Sequence, residues 1–172
     1  MKKIILAAVA ALGIGLGLGS CTDDLNQTPQ IGVTSGVVYS TVQGYESVLA
    51  KIYGSYSLIG QSKAGQEDIS SYSGHDLLRN YFNLQEGTTD VAAFRWLSGD
   101  NLWSLPFLNW DNSCPSVSDT YYRLYYNIAL CNEFLRYCTD GELSRFSEAD
   151  KATLTVYAAE ARFMRALSYY LV

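Results

Sequence analysis

The side chain best placed for chemistry in this chain is the thiol of Cys21. It follows Leu18-Gly19-Ser20 and closes a Gly/Ala/Leu-rich apolar run that begins at Ile4, behind Lys2 and Lys3. The run is about 15 residues long, the size of a secretory h-region and short of the ~20 that a helix needs to cross a bilayer. Small residues at Gly19 and Ser20 admit a peptidase, and a thiol at that point takes a diacylglyceryl group before cleavage leaves it as the new N-terminus. The segment reads as a bacterial lipoprotein signal, with residues 1–20 removed and Cys21 lipidated.

The remaining reactive side chains do not assemble into a catalytic or metal pattern. Cys131 and Cys138 lie seven apart in a helical stretch, so their Cα atoms would be roughly 10 Å apart, too far for a disulfide. Cys114 reaches either of them only if the fold brings it there, and buried free thiols are the expectation for all three. His75 is the single histidine, flanked by Gly74 and Asp76, and gives neither a zinc cluster nor a triad. No Cys-x-x-Cys spacing is present, and nothing in the sequence calls for a cofactor. The acids Glu67, Asp68, Glu86 and Asp90 could serve a glycosidase, but no spacing fixes the carboxylate separation that retaining or inverting chemistry requires.

Aromatic residues carry the stronger signal. Tyr numbers 14, against 3 Pro, and Tyr joins an apolar face to a hydroxyl. Trp96, Trp103 and Trp110 all fall in one Gly-punctuated stretch. Flat rings of this kind stack on the C–H faces of sugars or on peptide side chains, or else form a loop's own small core. Charge argues against nucleic acid. Without Lys2 and Lys3, ten of the 12 basic residues face 17 acidic ones, a net of −7 with no Lys/Arg cluster to displace counterions. Membrane attachment then rests on the lipid anchor alone.

Several elements must hold these residues. Thr22 to about Ser40 is polar and turn-rich, with Asp23-Asp24 and Thr28-Pro29, and reads as a tether. A helix capped by Ser40 or Thr41 places Tyr45, Val48, Leu49, Ile52, Tyr53 and Tyr56 on one face and ends at Gly60. From Gln61 to Cys114 no period is sustained, and Gly65, Gly74, Gly87, Gly99 and Pro106 mark a long loop region, a feature that is usually functional in a compact domain. A second helix, capped by Ser118, carries Tyr121, Leu124, Tyr125, Ile128, Asn132 and Leu135 on one stripe and closes at Gly141. A third starts at Ser147-Glu148-Ala149-Asp150, a capping box with Asp150 in place of Glu, and continues through Leu154, Tyr157, Ala158, Ala161 and Met164. Ala158, Ala159, Ala161 and Ala166 would let a partner helix approach closely. The apolar end Tyr169-Tyr170-Leu171-Val172 has no cap, which points to a truncation. The expectation is an all-α fold with one domain over residues 41–172.

The lipobox, the tether from Cys21 to Gln30 and the helix Ala159-Glu160-Ala161-Arg162-Phe163-Met164-Arg165-Ala166-Leu167 together resemble the SusD/RagB family. Also similar are Asn80-Tyr81-Phe82-Asn83, Thr88-Thr89-Asp90 and Tyr122-Arg123-Leu124-Tyr125-Tyr126-Asn127-Ile128. The chain looks like the N-terminal part of such a protein. The resemblance implies tetratricopeptide-like helix pairs with long loops, and an outer-membrane, surface-exposed lipoprotein of the Bacteroidetes. It also implies a protein that binds oligosaccharide or another nutrient for a TonB-dependent (SusC-like) transporter. Asp23-Asp24 then resembles a surface-export signal. Starch-binding relatives carry an aromatic arc before the second helix. Aligned without gaps, this sequence matches it at Arg79 and Trp96, has Phe94 in place of a second Trp, and has Gly99 where an amide is expected, with Asn101 nearby. Arg79, Phe94, Trp96 and Asn101 are thus the implied ligand-binding residues. A non-catalytic glycan binder is the leading reading; a peptide binder of the same family, a lipid-anchored glycoside hydrolase and a helical scaffold are the alternatives.

Overall fold

The computed structural model describes residues 32–60, 69, 76–92, 94, 102 and 104–172. The signal segment, Cys21, Glu67, Asp68, His75, Trp96, Asn101 and Trp103 lie outside the described residues. The chain divides into two compact units, Met1–Gly36 and Val37–Val172, and the architecture below is that of the second. Among the described residues the structure is all-α, with no strand: α1 Ser35–Val38, α2 Val42–Gly54, α3 Leu77–Glu86, α4 Pro115–Arg136, α5 Asp140–Leu143 and α6 Glu148–Leu171.

Local signals account for where the helices begin. Thr41 caps α2, its hydroxyl accepting from the Gly44 N–H at 3.1 Å. Ser147 caps α6 as expected: its hydroxyl accepts the Asp150 N–H at 3.2 Å and donates to the Asp150 carboxylate at 2.7 Å, a side-chain pair in place of the backbone bond that completes a capping box. α4 departs from expectation. It starts at Pro115 rather than after Ser118, because proline's missing N–H and fixed φ suit the first helical position, and the Ser118 hydroxyl instead donates to the Pro115 carbonyl. α2 ends at Gly54 rather than Gly60, and Gly141 sits inside the short α5 instead of closing the long helix, which ends at Arg136.

Two further expectations are corrected. The stretch Gln61–Cys114 is not all loop, since α3 stands within it, capped by the Asp76 carboxylate, which accepts the Arg79 N–H at 2.8 Å. Its inward face includes Asn80 and Asn83, so polar residues occupy positions where an apolar period would have revealed the helix. The tether cannot extend to residue 40, because Tyr39 is buried and stacks on Tyr137 with ring centroids 4.2 Å apart.

The core lies where α4 and α6 pack together, with α2 against both and α3 against α4. It is filled by Tyr45, Leu49, Ile52, Leu124, Cys131, Phe134, Leu154, Ala161 and Met164. Ala158 and Ala161 are buried as expected for close helix approach, whereas Ala159 and Ala166 face outward. Tyr45 and Tyr56 bury their rings and satisfy their hydroxyls, Tyr45 donating to the Tyr137 carbonyl at 2.6 Å and Tyr56 pairing with Ser168 at 2.7 Å. Tyr53 instead lies exposed and donates to Glu160 at 2.9 Å. On α4 the buried stripe is Thr120, Arg123, Leu124, Asn127, Ile128, Cys131 and Phe134, which leaves Tyr121 and Tyr125 on the outer face. The register differs from the expected one because a guanidinium and an amide, not tyrosines, fill two core positions.

Arg123 is the largest fully buried side chain. Its Nη1 donates to the carbonyls of Ser55 at 2.5 Å and Leu58 at 2.6 Å, and Nη2 donates to that of Ile59 at 3.1 Å. A planar fork of donors suits this task, since it satisfies the carbonyls beyond the end of α2 that no helical N–H reaches. The Ile59 carbonyl also accepts the Ile69 N–H. Cys114, Cys131 and Cys138 are free thiols, and burial pushes Cys131 and Cys138 up to about 11. Among the described residues no helix is long and apolar enough to cross a membrane.

Candidate functional site

The residues that could meet a ligand sit on α3, on the loop after it and on the turn that leads into α4. Arg79 is exposed on the first turn of α3. Phe94 is half-buried, and its ring lies so close to Gly87, at the end of α3, that a Cβ there would overlap it. A side chain at Gly87 would also meet the Asn83 carbonyl, which cannot move as a ring can, although the backbone angles of Gly87 are ordinary. Trp96 and Asn101 fall outside the described residues, so of the four implied binding residues the structure places Arg79 and Phe94.

The turn before α4 is ordered by backbone bonds of a recognisable kind. Asn109 N–H bonds to the Ser104 carbonyl at 3.0 Å and Leu108 N–H to the Leu105 carbonyl at 3.1 Å. That 6→1 and 5→2 pairing is a Schellman closure, and its left-handed position is taken by Leu108, with φ of 51°. A leucine there is strained, since its Cβ crowds the following carbonyl. The same turn turns Phe107 and Leu108 outward, 65% and 64% exposed. Further on, the Asp111 carboxylate accepts the Ser113 N–H at 2.8 Å and the Ser113 hydroxyl at 2.6 Å. The Asp111 carbonyl accepts the Cys114 N–H at 3.1 Å, and Pro115 then starts the helix.

Between these two turns lies a shallow pocket of about 270 Å³, lined by Ser104, Asn109, Trp110, Asp111, Ser113, Cys114 and Pro115. Trp110 is 41% exposed, so part of its side chain is open to solvent. The hydrogen bonds from Ser113 hold the Asp111 carboxyl below its ordinary range, so it carries its charge at neutral pH. A carboxylate whose basicity is lowered in this way is a poor general base, and the Ser113–Asp111 contact is a turn-forming one. What the arrangement offers chemically is recognition: one aromatic face, one amide, one carboxylate and two serine hydroxyls. Among the described residues no group of His, Cys, Asp and Glu is arranged to hold a metal ion.

No protein-family model, curated protein or solved structure matches this chain.

Further aromatic surface stands beside the pocket in sequence. Tyr121, Tyr122 and Tyr125 are exposed on the first half of α4, with the Tyr121 and Tyr125 rings 4.6 Å apart. Trp110 stands out in the sequence by its type, whereas Asn109, Asp111 and Ser113 look like ordinary loop residues, although Asp111-Asn112-Ser113 carries the composition of an Asx turn, which marks an ordered segment.

Proposed function

We propose that this protein is a non-catalytic, surface-exposed lipoprotein of the outer membrane that captures a nutrient, a glycan in the leading reading, and passes it to a TonB-dependent transporter. In this reading the acylated Cys21 anchors it, and the helices α2, α4 and α6 belong to a tetratricopeptide-like array that carries the binding loops. The observation that supports it most is the run of exposed rings ahead of and along the first half of α4: Phe107, Trp110, Tyr121, Tyr122 and Tyr125. Clustered exposed rings mark an interaction surface, and the Tyr121 ring stands 5.8 Å from that of Tyr122 and 4.6 Å from that of Tyr125. Arg79, Phe94, Trp96 and Asn101 remain part of the proposed binding surface on the strength of the family resemblance.

Two measurements test the reading. Labelled palmitate should enter the wild-type protein and not Cys21→Ser; label retained in the variant sinks the anchor. The purified chain should retard on glycan-containing affinity gels without releasing product. Turnover of a polysaccharide, lost in Glu86→Ala or Asp90→Ala, would replace the binding protein with a hydrolase, and retention by peptides alone would replace the glycan.

A further inference from the structure

The pocket at Trp110 has a size and a chemistry that narrow what can occupy it. At about 270 Å³ it falls just below the ~300 Å³ at which sites for drug-sized molecules begin, a size that suits a single ring. Its lining combines an indole with groups that both donate and accept: the Asn109 amide does both, the Ser104 and Ser113 hydroxyls do both, and ionised Asp111 only accepts. An occupant must therefore bring its own donors and acceptors in close succession, together with a flat apolar face.

Charge disfavours anions. Among the described residues no Lys or Arg lines the pocket, and the Asp111 carboxylate there is ionised, so a phosphate or carboxylate would meet repulsion. The Asp111 carboxylate would attract a cation, but an ammonium is best held between several rings, and among the described residues a single ring lines the pocket. A neutral polyhydroxylated ring meets every requirement, since its axial C–H groups give an apolar face and its hydroxyls donate and accept in turn.

The pocket is also built before any ligand arrives. The Schellman closure at Ser104–Asn109 fixes the chain on one side of Trp110, and the Asp111–Ser113 turn and Pro115 fix it on the other. Backbone already ordered in the free protein need not be ordered on binding, which favours recognition of small ligands by few contacts. We propose that this pocket is a subsite for one neutral pyranose ring, stacked on the indole of Trp110 and hydrogen-bonded through its hydroxyls to Asn109 and Asp111. The proposal rests on the nutrient-binding reading and assigns it a location distinct from the residues that the family resemblance implies. With about a dozen non-hydrogen atoms in contact, a single ring would bind in the millimolar range.

The test uses the full chain labelled with ¹⁵N, whose three tryptophans give separate indole N–H resonances. Trp110 is assigned by the resonance lost in Trp110→Phe. The probes are the methyl glycosides of glucose, mannose and galactose, with methylammonium and inorganic phosphate as charged controls. At least one glycoside should move the Trp110 resonance saturably, and neither control should. Trp110→Ala should weaken that binding by about fivefold or more, the loss of one aromatic contact. Asp111→Asn, which keeps an oxygen for the Ser113 N–H, should weaken it as well while leaving the melting temperature in place. A Trp110 resonance unmoved by every glycoside at about 50 mM overturns the subsite, given the expected affinity. So does stronger movement with methylammonium, or glycoside binding that Trp110→Ala leaves intact. That last outcome would keep the nutrient-binding reading and remove only this location, whereas loss of lipidation or the appearance of product would remove the reading without touching the Trp110 resonance.

Discussion

Replacing Arg123 by methionine should destabilise the protein by about 2–6 kcal/mol, less the relief of burying a guanidinium, and the structure shows how that figure arises. The aliphatic stem of arginine is closely matched by methionine, so little packing is lost. What disappears is a set of donors to the carbonyls of Ser55, Leu58 and Ile59. Ser55 is fully buried, and a buried carbonyl left without a donor costs ~1–3 kcal/mol. Leu58 and Ile59 are exposed residues whose carbonyls can recruit water, so each contributes only the ~0.5–1.5 kcal/mol of an ordinary net hydrogen bond. An opposing term exists, because methionine removes the cost of burying a guanidinium, and apolar replacement of buried ionic groups can be neutral or stabilising. Such replacements succeed when both partners are removed. Here these three acceptors are backbone and remain, so their unmet carbonyls weigh against any gain. Urea unfolding followed by circular dichroism should show a lower midpoint with an unchanged slope. Hydrogen exchange should also quicken at the Ile69 N–H, which bonds to the same Ile59 carbonyl. A loss under about 1 kcal/mol, or a gain, would mean that desolvation of the guanidinium outweighs its hydrogen bonds and that the reasoning is wrong.

Leu108→Gly should stabilise the protein by about 0.5–1 kcal/mol in the same assay, since it relieves a left-handed leucine whose side chain is mostly exposed; destabilisation would show that the side chain packs in a way its exposure conceals. Phe134→Ala, at a fully buried ring, should cost ~3–5 kcal/mol. Phe163→Ser, on the outer face of α6, should shift the midpoint by less than about 0.5 kcal/mol, and equal losses at the two sites would refute the assigned face of that helix. The thiols of Cys131 and Cys138 lie at about 11, raised above their ordinary value by burial. The unfolded chain therefore sheds these protons first as pH rises, and the stability they contribute, complete below the ordinary thiol range, is lost as pH climbs through about 11. Burial raises Tyr39, Tyr45 and Tyr56 in the same direction. Denaturation midpoints measured between neutral pH and pH 11 should fall progressively, and a flat profile would contradict the burial of these groups. Thiol-specific reagents should accordingly label the fully buried Cys131 only as the protein unfolds.

Elements fixed by short-range chemistry were legible from the residues alone. Thr41 and Ser147 cap helices because a side-chain oxygen three residues before a free N–H is sufficient wherever the chain lies, and Tyr45, Leu49, Ile52, Leu154, Ala158 and Ala161 follow one helical period on one face. The apolar run before Cys21 is likewise a property of composition and order. What the sequence could not settle depends on partners distant along the chain. Asn80 enters the core because the Ser116 carbonyl and the Thr120 hydroxyl, 36 and 40 residues away, accept from its amide at 2.8 and 2.5 Å, and so α3 lacks the apolar period that announces a helix. Arg123 is inward and Tyr121 and Tyr125 outward because carbonyls 64 to 68 residues away accept from the guanidinium. The pocket at Trp110 is the same case. Its residues are contiguous, yet only the closure of two successive turns sets the amide, the carboxylate and the indole around a common space. Hydropathy ranks each residue by its own free energy of transfer, whereas burial of a polar group is decided by whether a partner waits where it arrives.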